Sequence, residues 1–150
     1  MGGAMKTVNP DFKLLVERCF SEAAFVADVG ITYLDCGPGW CESRMPITAR
    51  HLQNTGVVHA GAQTTLADHT AGAAGVSLLA AGDFVLTAEF KLNLLRPASG
   101  EYLWCRAQVL KPGKTLIVVE SEVYAVNGDS RTLVSKLNAT LAVVQQKLPN

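Results

Sequence analysis

From residue 12 onward, apolar residues recur at the spacing that places side chains on one face of a helix. This face is formed by Phe12, Leu15, Val16 and Cys19. The pattern predicts an amphipathic helix over residues 10–29, with Asn9 as a capping residue and Pro10 in the first turn. Gly30 is expected to end this helix.

Short runs typical of strands follow the predicted helix. Residues 31–36 and 40–47 are predicted to be strands, and the Gly-Pro-Gly sequence at 37–39 is typical of the turn between them. The two strands therefore form a hairpin. A polar loop over residues 48–58 separates this hairpin from the next element.

Residues 56–81 form a long stretch with a single carboxylate, Asp68. Apolar residues lie on all sides of the helix that this stretch predicts, so we expect the helix to be buried all round. Its interior contains Gly72 and Gly75, and glycine there costs about 1 kcal/mol relative to alanine. Close approach of another backbone would explain both glycines. A sheet wrapped around the helix is the simplest such neighbour.

Alternation with a period of two begins after this helix. One face of a long strand is predicted to carry Leu86, Ala88, Phe90, Leu92 and Leu94, and the other face Thr87, Glu89, Lys91 and Asn93. Pro97 and Gly100 follow the end of this strand. Three more alternating strands are predicted, with turns at residues 111–114 and 127–128.

The predicted order is helix, two strands, long helix and four strands. Consecutive hairpins make an antiparallel sheet. The expected fold class is therefore α+β, with one antiparallel sheet wrapped around one long central helix. The length of 150 residues fits a single domain over 1–150, with a leader over residues 1–8 and a core over 31–147.

Composition narrows the classes of function. Lysine plus arginine equals aspartate plus glutamate, and without a basic patch we expect no nucleic-acid partner. Glycines and polar residues interrupt 56–81 too often for a membrane span, so no membrane partner is expected. The four cysteines have no CxxC spacing and the N-terminus lacks the pattern of a signal peptide. This predicts free thiols and a cytoplasmic location.

Five short motifs, taken in order and spacing, carry a resemblance to a known family. They are Gly56, His59-Ala60-Gly61, Asp68, Thr87 and Pro97-Ala98. Together they are similar to the PaaI-like acyl-CoA thioesterases, which have the hotdog fold, and the resemblance extends over residues 31–144. The chain differs from many members in having Ala60 in place of a glycine and Gln53 in place of an asparagine.

Thioester hydrolysis needs donors at the carbonyl oxygen, together with a base that activates water or a carboxylate that attacks directly. The backbone N–H groups of Ala60 and Gly61, at the start of the central helix, are the candidate donors. Asp68 is the candidate base or nucleophile. In the alternative interpretation, Asp68 only bonds backbone groups or the threonines one turn earlier.

Four further side chains are candidates for the same site. From the loop, Gln53 or Asn54 would hold a water or the thioester carbonyl, and Thr87 would bond that water. His59 is expected to orient the loop or to cap the helix rather than to act as a base. No spacing of histidines such as HExxH predicts a metal site.

Ala60 and Asp68 are eight residues apart, which is about 12 Å along one straight helix. One carbonyl group cannot contact both. If both act on the same thioester, one must come from a second subunit, which predicts a homodimer with shared active sites. The resemblance implies the same arrangement, with joined sheets and paired helices, in a dimer or a tetramer.

The substrate implied by the resemblance is an acyl-CoA with an aryl or medium-length acyl group, and no cofactor is expected beyond the CoA of the substrate. Several cationic residues near strand ends are candidates to bind the CoA phosphates. They are Arg96, Lys111, Lys114, Arg131 and Lys136. Two alternatives are open: a hotdog domain that binds acyl-CoA without cleaving it, and a hotdog hydratase or dehydratase.

Overall fold

The computed structural model describes residues 3–146. Residues 1–2 of the predicted leader and residue 147 of the predicted core lie outside the described residues. Within this range the chain forms a six-stranded antiparallel sheet with a long helix against it. The α+β fold class predicted from the sequence is confirmed.

Three α-helices, a 3-10 turn and six strands follow one another in the described part of the chain. The helices are α1 (Phe12–Ser21), α2 (Ala24–Val29) and α3 (Ala60–Val76), and the 3-10 turn is Ala49–His51. The strands are β1 (Thr32–Gly37), β2 (Trp40–Pro46), β3 (Phe84–Leu94), β4 (Tyr102–Pro112), β5 (Leu116–Asn127) and β6 (Ser130–Val144).

The prediction of a single helix over residues 10–29 is wrong, because the chain breaks between α1 and α2. Ala23 at the break has an extended backbone, with φ −88° and ψ 97°. Phe20 and Val26 are both buried, although a separation of six residues would place them about 120° apart around one straight helix. The break lets both side chains reach the core.

The ends of these two helices follow the sequence signals only in part. Gly30 ends α2 in the left-handed region, with φ 91°, as predicted. Asn9 is not the N-cap of α1, because the N-cap is Asp11. Instead, the Asn9 Oδ1 accepts a hydrogen bond from the Asp11 N–H at 3.0 Å. Asn9 therefore closes the turn that precedes the helix.

The strands are ordered β1-β2-β4-β5-β6-β3, and every neighbouring pair is antiparallel. The predicted hairpins are confirmed, since Gly37 pairs with Trp40 and Asn127 pairs with Ser130. The two edges of the sheet are β1 and β3. With 11 residues, β3 presents a long edge whose backbone groups are not paired by another strand of residues 3–146.

The alternation predicted for β3 is wrong at its first residues. The register with β6 shifts between Thr87 and Glu89, so Ala88 is an extra residue in the ladder. Thr87 pairs with the buried Leu141 and faces α3, whereas Leu86 faces outward. The β-bulge therefore reverses the faces predicted for Leu86 and Thr87.

One side of α3 packs on the sheet. Its buried residues are Gln63, Leu66, Ala67, Thr70, Ala71, Ala73, Ala74 and Gly75. The Ser121 hydroxyl on β5 donates to the Ala67 carbonyl at 2.9 Å. A Cβ added at Gly75 would lie 2.6 Å from Leu141 Cδ1. Close packing against the sheet thus explains one of the two glycines of the helix interior.

The expectation that α3 is buried all round is wrong for this chain alone. Gly61, Thr65, Asp68 and Gly72 form a stripe along α3 that is half-buried or exposed, and we refer to it as the open stripe. Nothing lies within 4 Å of the position that a Cβ would take at Gly72. Glycine and alanine on every side of α3 remove the periodic signal that would have revealed this stripe.

The residues that precede α1 contact the fold. Met5 is partly buried against the hydrophobic core, and the Thr7 hydroxyl donates to the Asn9 carbonyl at 3.1 Å. The division of the chain into a leader and a core stays a prediction. All four cysteines are free thiols, as expected, with Cys19 half-buried and the other three buried.

Candidate active site

The first turn of α3 forms the first candidate group, the helix mouth (His59, Ala60 and Gly61). His59 is the N-cap of α3, and its Nδ1 accepts a hydrogen bond from the Gly61 N–H at 2.8 Å. This bond uses one of the two candidate donors. The Ala60 N–H has no hydrogen-bond partner among residues 3–146. Ala60 is therefore the donor that can serve a ligand.

A second histidine holds the loop that precedes the helix mouth. His51 is buried, and its Nδ1 accepts a hydrogen bond from the Thr48 N–H at 3.1 Å. The proton is therefore on Nε2, which donates to the Val29 carbonyl at 2.6 Å. The His51 carbonyl accepts the His59 N–H at 2.8 Å. These bonds fix the helix mouth relative to α2 and the 3-10 turn.

A cavity of about 290 Å³, which we call the mouth pocket, opens beside the helix mouth. Its polar residues are Gln53, Gln63 and Arg96, and Ala60 also lines it. The remaining wall is apolar and consists of Val57, Val58, Leu94, Leu95, Pro97 and Ala98. The pocket thus combines a cation and two amides within an apolar surface, beside the first residue of α3.

Of the two loop amides, Gln53 lines the mouth pocket and Asn54 does not. The Gln53 Nε2 donates to the Thr55 hydroxyl at 2.6 Å. Asn54 is exposed in the turn that precedes Gly56, where φ is 84°. The structure therefore places Gln53, rather than Asn54, in the same pocket wall as Ala60.

The second candidate group lies further along α3. Asp68 is half-buried, and its Oδ1 accepts a hydrogen bond from the Thr87 hydroxyl at 2.8 Å. Both residues line a cavity of about 300 Å³, which we call the acid pocket, together with residues such as Cys19, His69 and Phe84. The β-bulge after Thr87 turns the Thr87 hydroxyl toward Asp68. The hydrogen bond between these two residues therefore depends on the register between β3 and β6.

His69 and Cys19 contribute no charge to the acid pocket at neutral pH. Burial lowers the pKa of His69, and its hydrogen bond to the Cys19 carbonyl offsets this only in part. The His69 Nε2 lies 3.1 Å from that carbonyl oxygen, and the ring meets Phe20 edge-on with 4.7 Å between centroids. Burial also raises the pKa of the Cys19 thiol, which therefore stays protonated.

The helix mouth and Asp68 do not meet within one chain. Helix α3 is continuous from Ala60 to Val76, so the eight residues from Ala60 to Asp68 correspond to about 12 Å. The two groups also line different cavities. Each chain therefore contains two half-sites, one with the main-chain donor and one with the carboxylate.

The cations predicted to bind CoA are spread over the molecule. Arg96 lines the mouth pocket, whereas Lys114 lines a cavity at the opposite end of α3. The 17 residues of α3 extend over about 25 Å. Arg96 and Lys114 of one chain therefore cannot bind the same diphosphate. Lys111 is exposed at the end of β4.

The other two cations have partners on the outer face of the sheet. The Arg131 guanidinium lies over the Trp104 ring, 3.6 Å from its centroid. The Lys136 ammonium is 3.1 Å from Glu120 and 3.2 Å from Glu122. These contacts already orient both side chains away from α3 and from the two pockets.

One polar residue of the mouth pocket was missed by the sequence analysis. Gln63 lies one turn beyond the helix mouth and is 3% exposed. Its Nε2 donates to the Val58 carbonyl at 3.2 Å, and its buried Oε1 has no partner among residues 3–146. The sequence signal that could have identified Gln63 is its position on the same helix face as Leu66 and Thr70, which are buried.

In the described part of the chain, no three His, Cys, Asp or Glu residues are placed to hold a metal ion. Across the helices of residues 3–146, none has the combination of length and hydropathy needed to cross a membrane.

Comparison with known proteins finds thioesterases among the proteins to which this chain is similar. The family model of the Thioesterase superfamily matches residues 55–132, from the loop before α3 into β6. The proofreading thioesterase EntH of Klebsiella pneumoniae is 35% identical over 79 residues, which are 53% of this chain and 58% of EntH.

Solved structures share the fold. A thioesterase family protein from Silicibacter pomeroyi has a TM-score of 0.83 and 36% identity, over 86% of this chain and 95% of that chain. The BH2602 protein from Bacillus halodurans, solved with CoA, has a TM-score of 0.65 and 29% identity, over 68% of this chain and 70% of that chain. The E. coli PaaI protein from the phenylacetic acid degradation operon has a TM-score of 0.75 and 24% identity, over 84% of this chain and 88% of that chain.

These comparisons confirm the thioesterase family and the hotdog fold that five short motifs predicted, and PaaI shares that fold. The matched residues include Ala60, Asp68 and Thr87, and they make up more than half of the chain. The class of enzyme that they support is a thioester hydrolase. The chain therefore belongs to the Thioesterase superfamily.

Proposed function

We propose that this protein hydrolyses acyl-CoA thioesters at active sites that two subunits share. The helix mouth of one subunit binds the thioester carbonyl, and the partner's Asp68 attacks the carbonyl carbon or activates the water that does so. One observation carries this proposal: within a single chain, the Ala60 donor and the Asp68 carboxylate are separated by about 12 Å of continuous helix.

The helix mouth is suited to bind an oxyanion. The Ala60 N–H lies at a helix N-terminus, where the helix dipole favours negative charge. In the tetrahedral intermediate, that charge develops on the former carbonyl oxygen. A donor fixed at this point therefore stabilises the transition state more than the substrate. Because the donor belongs to the main chain, alanine supplies it as well as glycine does.

Asp68 supports two routes to the same products. As a base, its carboxylate takes a proton from water while the water oxygen bonds to the acyl carbon. As a nucleophile, a carboxylate oxygen bonds to the acyl carbon first, and water then cleaves the resulting anhydride. In both routes the C–S bond breaks, the CoA thiolate takes up a proton and the free acid is released. The Thr87 hydroxyl holds Oδ1 in either case, which leaves Oδ2 for the reaction.

Two surfaces of the chain support the pairing of subunits. The β3 edge is 11 residues long and presents the exposed side chains of Leu86, Phe90 and Leu94. The open stripe of α3 has room for close approach at Gly72. A two-fold axis at the β3 edge would join the two sheets and set the open stripes side by side. Asp68 of one subunit would then lie toward the helix mouth of the other.

The mouth pocket supports CoA as the carrier of the acyl group. Arg96 supplies a cation that suits a phosphate group. Its guanidinium donates to the Leu133 carbonyl at 3.0 Å, which holds the side chain at the pocket. The similar BH2602 protein has been solved with CoA. We therefore assign the CoA carrier to the mouth pocket, with Gln53 and Arg96 on its wall.

The test combines two inactive variants that damage different half-sites. Ala60→Pro removes the N–H donor at the first helical position, where proline is favoured. The backbone of His59, with φ −60° and ψ 141°, already suits a residue before proline. Asp68→Asn removes the carboxylate. Each variant alone is expected to lose activity by about 100-fold or more on aryl and medium-chain acyl-CoAs.

The two variants are then unfolded together in equal amounts and refolded, and released CoA thiol is measured. A mixed dimer contains one intact site, so about a quarter of the wild-type activity is expected to return. If verified mixed dimers stay inactive, the sites are not shared. A wild-type protein that binds these acyl-CoAs without releasing CoA would contradict hydrolysis and support the binding domain.

A further inference from the structure

A second cavity lies beside the acid pocket of the same chain. It has a volume of about 420 Å³ and is lined by Leu15 and Arg18 of α1, so we call it the α1 cavity. Cys19, Val76 and Phe84 line both the acid pocket and the α1 cavity, which are therefore direct neighbours. The proposed reaction uses neither the α1 cavity nor the apolar part of the acid pocket.

The α1 cavity lies on the side of the acid pocket that is remote from the helix mouth. On α3, the residues of the acid pocket extend from Asp68 to Val76, whereas the α1 cavity is lined by Val76 alone. From Asp68 to Val76 the helix rises by about 12 Å. The two cavities together therefore follow α3 from the carboxylate to the last residue of the helix.

The side chains along this path suit an aliphatic chain better than a charged group. Beyond Asp68, the acid pocket has no charged side chain at neutral pH, because the lowered pKa of His69 and the raised pKa of the Cys19 thiol keep both groups neutral. Arg18, the one cation of the two cavities among residues 3–146, is paired with Glu22 at 2.7 Å. An acyl group that ended in a carboxylate would therefore find no free cation on this path.

The position of the thioester directs the acyl group into this path. In the proposed site, the carbonyl group lies between the Ala60 N–H of one subunit and the partner's Asp68, with the CoA carrier in the mouth pocket beside Ala60. The acyl group is attached to the carbonyl carbon on the side away from the sulfur, so it extends toward the acid pocket around the partner's Asp68.

The length of the path sets the length of the chain. An extended alkyl chain advances about 1.3 Å per carbon, because its bonds of about 1.5 Å alternate in direction. A path of about 12 Å therefore holds about nine carbons. A single aromatic ring would reach only the acid pocket.

We propose that the acyl group is a medium-length aliphatic chain that enters the acid pocket of the subunit supplying Asp68 and continues past Val76 into the α1 cavity. The inference rests on the proposed function and adds the class of acyl group and the residue that limits its length. Val76 is half-buried and lies one turn beyond Gly72 of the open stripe. Side chains project outward from a helix, so a larger side chain at this position narrows the path between the two cavities.

The first test measures kcat/KM for saturated acyl-CoAs of four to twelve carbons by the release of CoA thiol. In wild type, kcat/KM is expected to rise about fourfold for each added methylene group until the chain has about nine carbons, and then to level off. In Val76→Phe, the ratio of octanoyl-CoA to butanoyl-CoA is expected to fall to about one, because the ring fills the path.

Two further variants control for folding and for the added ring. Val76→Leu adds a single methylene group and replaces Val76→Phe if the latter does not fold, and its ratio is expected to fall about fourfold. Val118→Phe adds the same ring on β5, where Val118 is 37% exposed and lines neither cavity. This variant is expected to keep the wild-type ratio.

A mixed dimer shows which subunit holds the chain. In a dimer of Ala60→Pro with Asp68→Asn, the one intact site takes its carboxylate from the Ala60→Pro chain. Adding Val76→Phe to that chain is expected to lower the ratio of octanoyl-CoA to butanoyl-CoA, whereas adding it to the Asp68→Asn chain is expected to leave the ratio unchanged. Equal ratios in the two mixed dimers would overturn the inference.

Binding of S-alkyl-CoA thioethers, which cannot be hydrolysed, separates this inference from the proposed function. If wild type releases no CoA but binds the thioethers more tightly as the chain grows to about nine carbons, and Val76→Phe does not, the acyl path is correct and hydrolysis is refuted. The inference is overturned if neither turnover nor binding in wild type depends on chain length, or if both Val76 variants keep the wild-type dependence. It is equally overturned if kcat/KM is higher for benzoyl-CoA than for octanoyl-CoA.

Discussion

The Thr87 hydroxyl donates a 2.8 Å hydrogen bond to Asp68 Oδ1, joining β3 to α3 across 19 residues of sequence. This bond fixes one oxygen of the carboxylate. Since the β-bulge at Ala88 turns Thr87 inward, the orientation of the carboxylate depends on the register of β3 as well as on the helix. The geometry of the acid half-site is thus set by two elements.

Replacing Asp68 by asparagine is expected to lower kcat by about 100-fold or more, because the amide can neither take a proton nor attack. Asparagine still accepts the Thr87 hydroxyl, so the fold and the subunit association should be kept. Thiol release over a panel of acyl-CoAs measures the loss. Asp129→Asn, in the exposed turn between β5 and β6, is the matched control. Wild-type rates in Asp68→Asn would show that this carboxylate has no part in the reaction.

Thr87→Val removes the hydroxyl and keeps the shape of the side chain. A hydrogen bond to a charged group contributes about 1.5–3 kcal/mol, so kcat is expected to fall by about tenfold or more while KM changes little. Thr140→Val is the control, since Thr140 donates to Glu89 at 2.6 Å on the outer face of the same two strands. Equal effects of the two substitutions on kcat would contradict a role of Thr87 in orienting Asp68.

The two glycines within α3 are expected to respond differently to a larger side chain. Gly72→Leu places its side chain on the open stripe, where one chain has space, so the subunit should fold but fail to associate. Gly75→Leu meets the buried Leu141 and should destabilise the subunit itself by about 1–3 kcal/mol or more.

Light scattering after gel filtration measures the mass of each variant, and urea unfolding measures its stability. Loss of activity in a folded Gly72→Leu monomer would agree with sites that need two subunits. A fully active monomer would refute shared sites.

The stability of the protein is expected to fall at mildly acidic pH through His69. Burial lowers the pKa of His69 in the folded state below the ordinary value of 6.5. Below about pH 6.5 the unfolded state therefore binds more protons than the folded state, and the free energy of unfolding decreases until the pH passes the lowered pKa. Above about pH 6.5 this contribution is fully present.

Urea unfolding of wild type and His69→Phe at a series of pH values, and at one protein concentration, measures this effect. Phenylalanine has no titrating group, so the variant should lose less stability between neutral and acidic pH. Parallel curves for the two proteins would show that His69 does not titrate differently on folding.

Local sequence signals predicted the features that depend on near neighbours. Gly30 ends a helix, and the turn at residues 127–128 joins two strands, because a glycine adopts the left-handed backbone required there. The resemblance then selected Asp68 and Thr87 by spacing alone, and the structure brings these two side chains into contact. Their roles in the reaction stay predictions.

The features that were missed depend on packing between distant segments. The break at Ala23 arises because Phe20 and Val26 must both reach one core, and the bulge at Ala88 arises from pairing with β6. Gln63 looks like an ordinary helix residue until the sheet buries it. Periodicity within one segment carries no information on any of these contacts.

The long edge of β3 has a consequence for the behaviour of the protein at low concentration. A released subunit would carry eleven residues of strand, without proline and with Phe90 and Leu94 exposed, and such a strand is a template for any extended chain. In the proposed dimer, dilution would therefore separate the subunits and stop turnover. Released subunits would then either re-associate with each other or aggregate irreversibly. The protein concentration during storage would therefore determine how long a preparation keeps its activity.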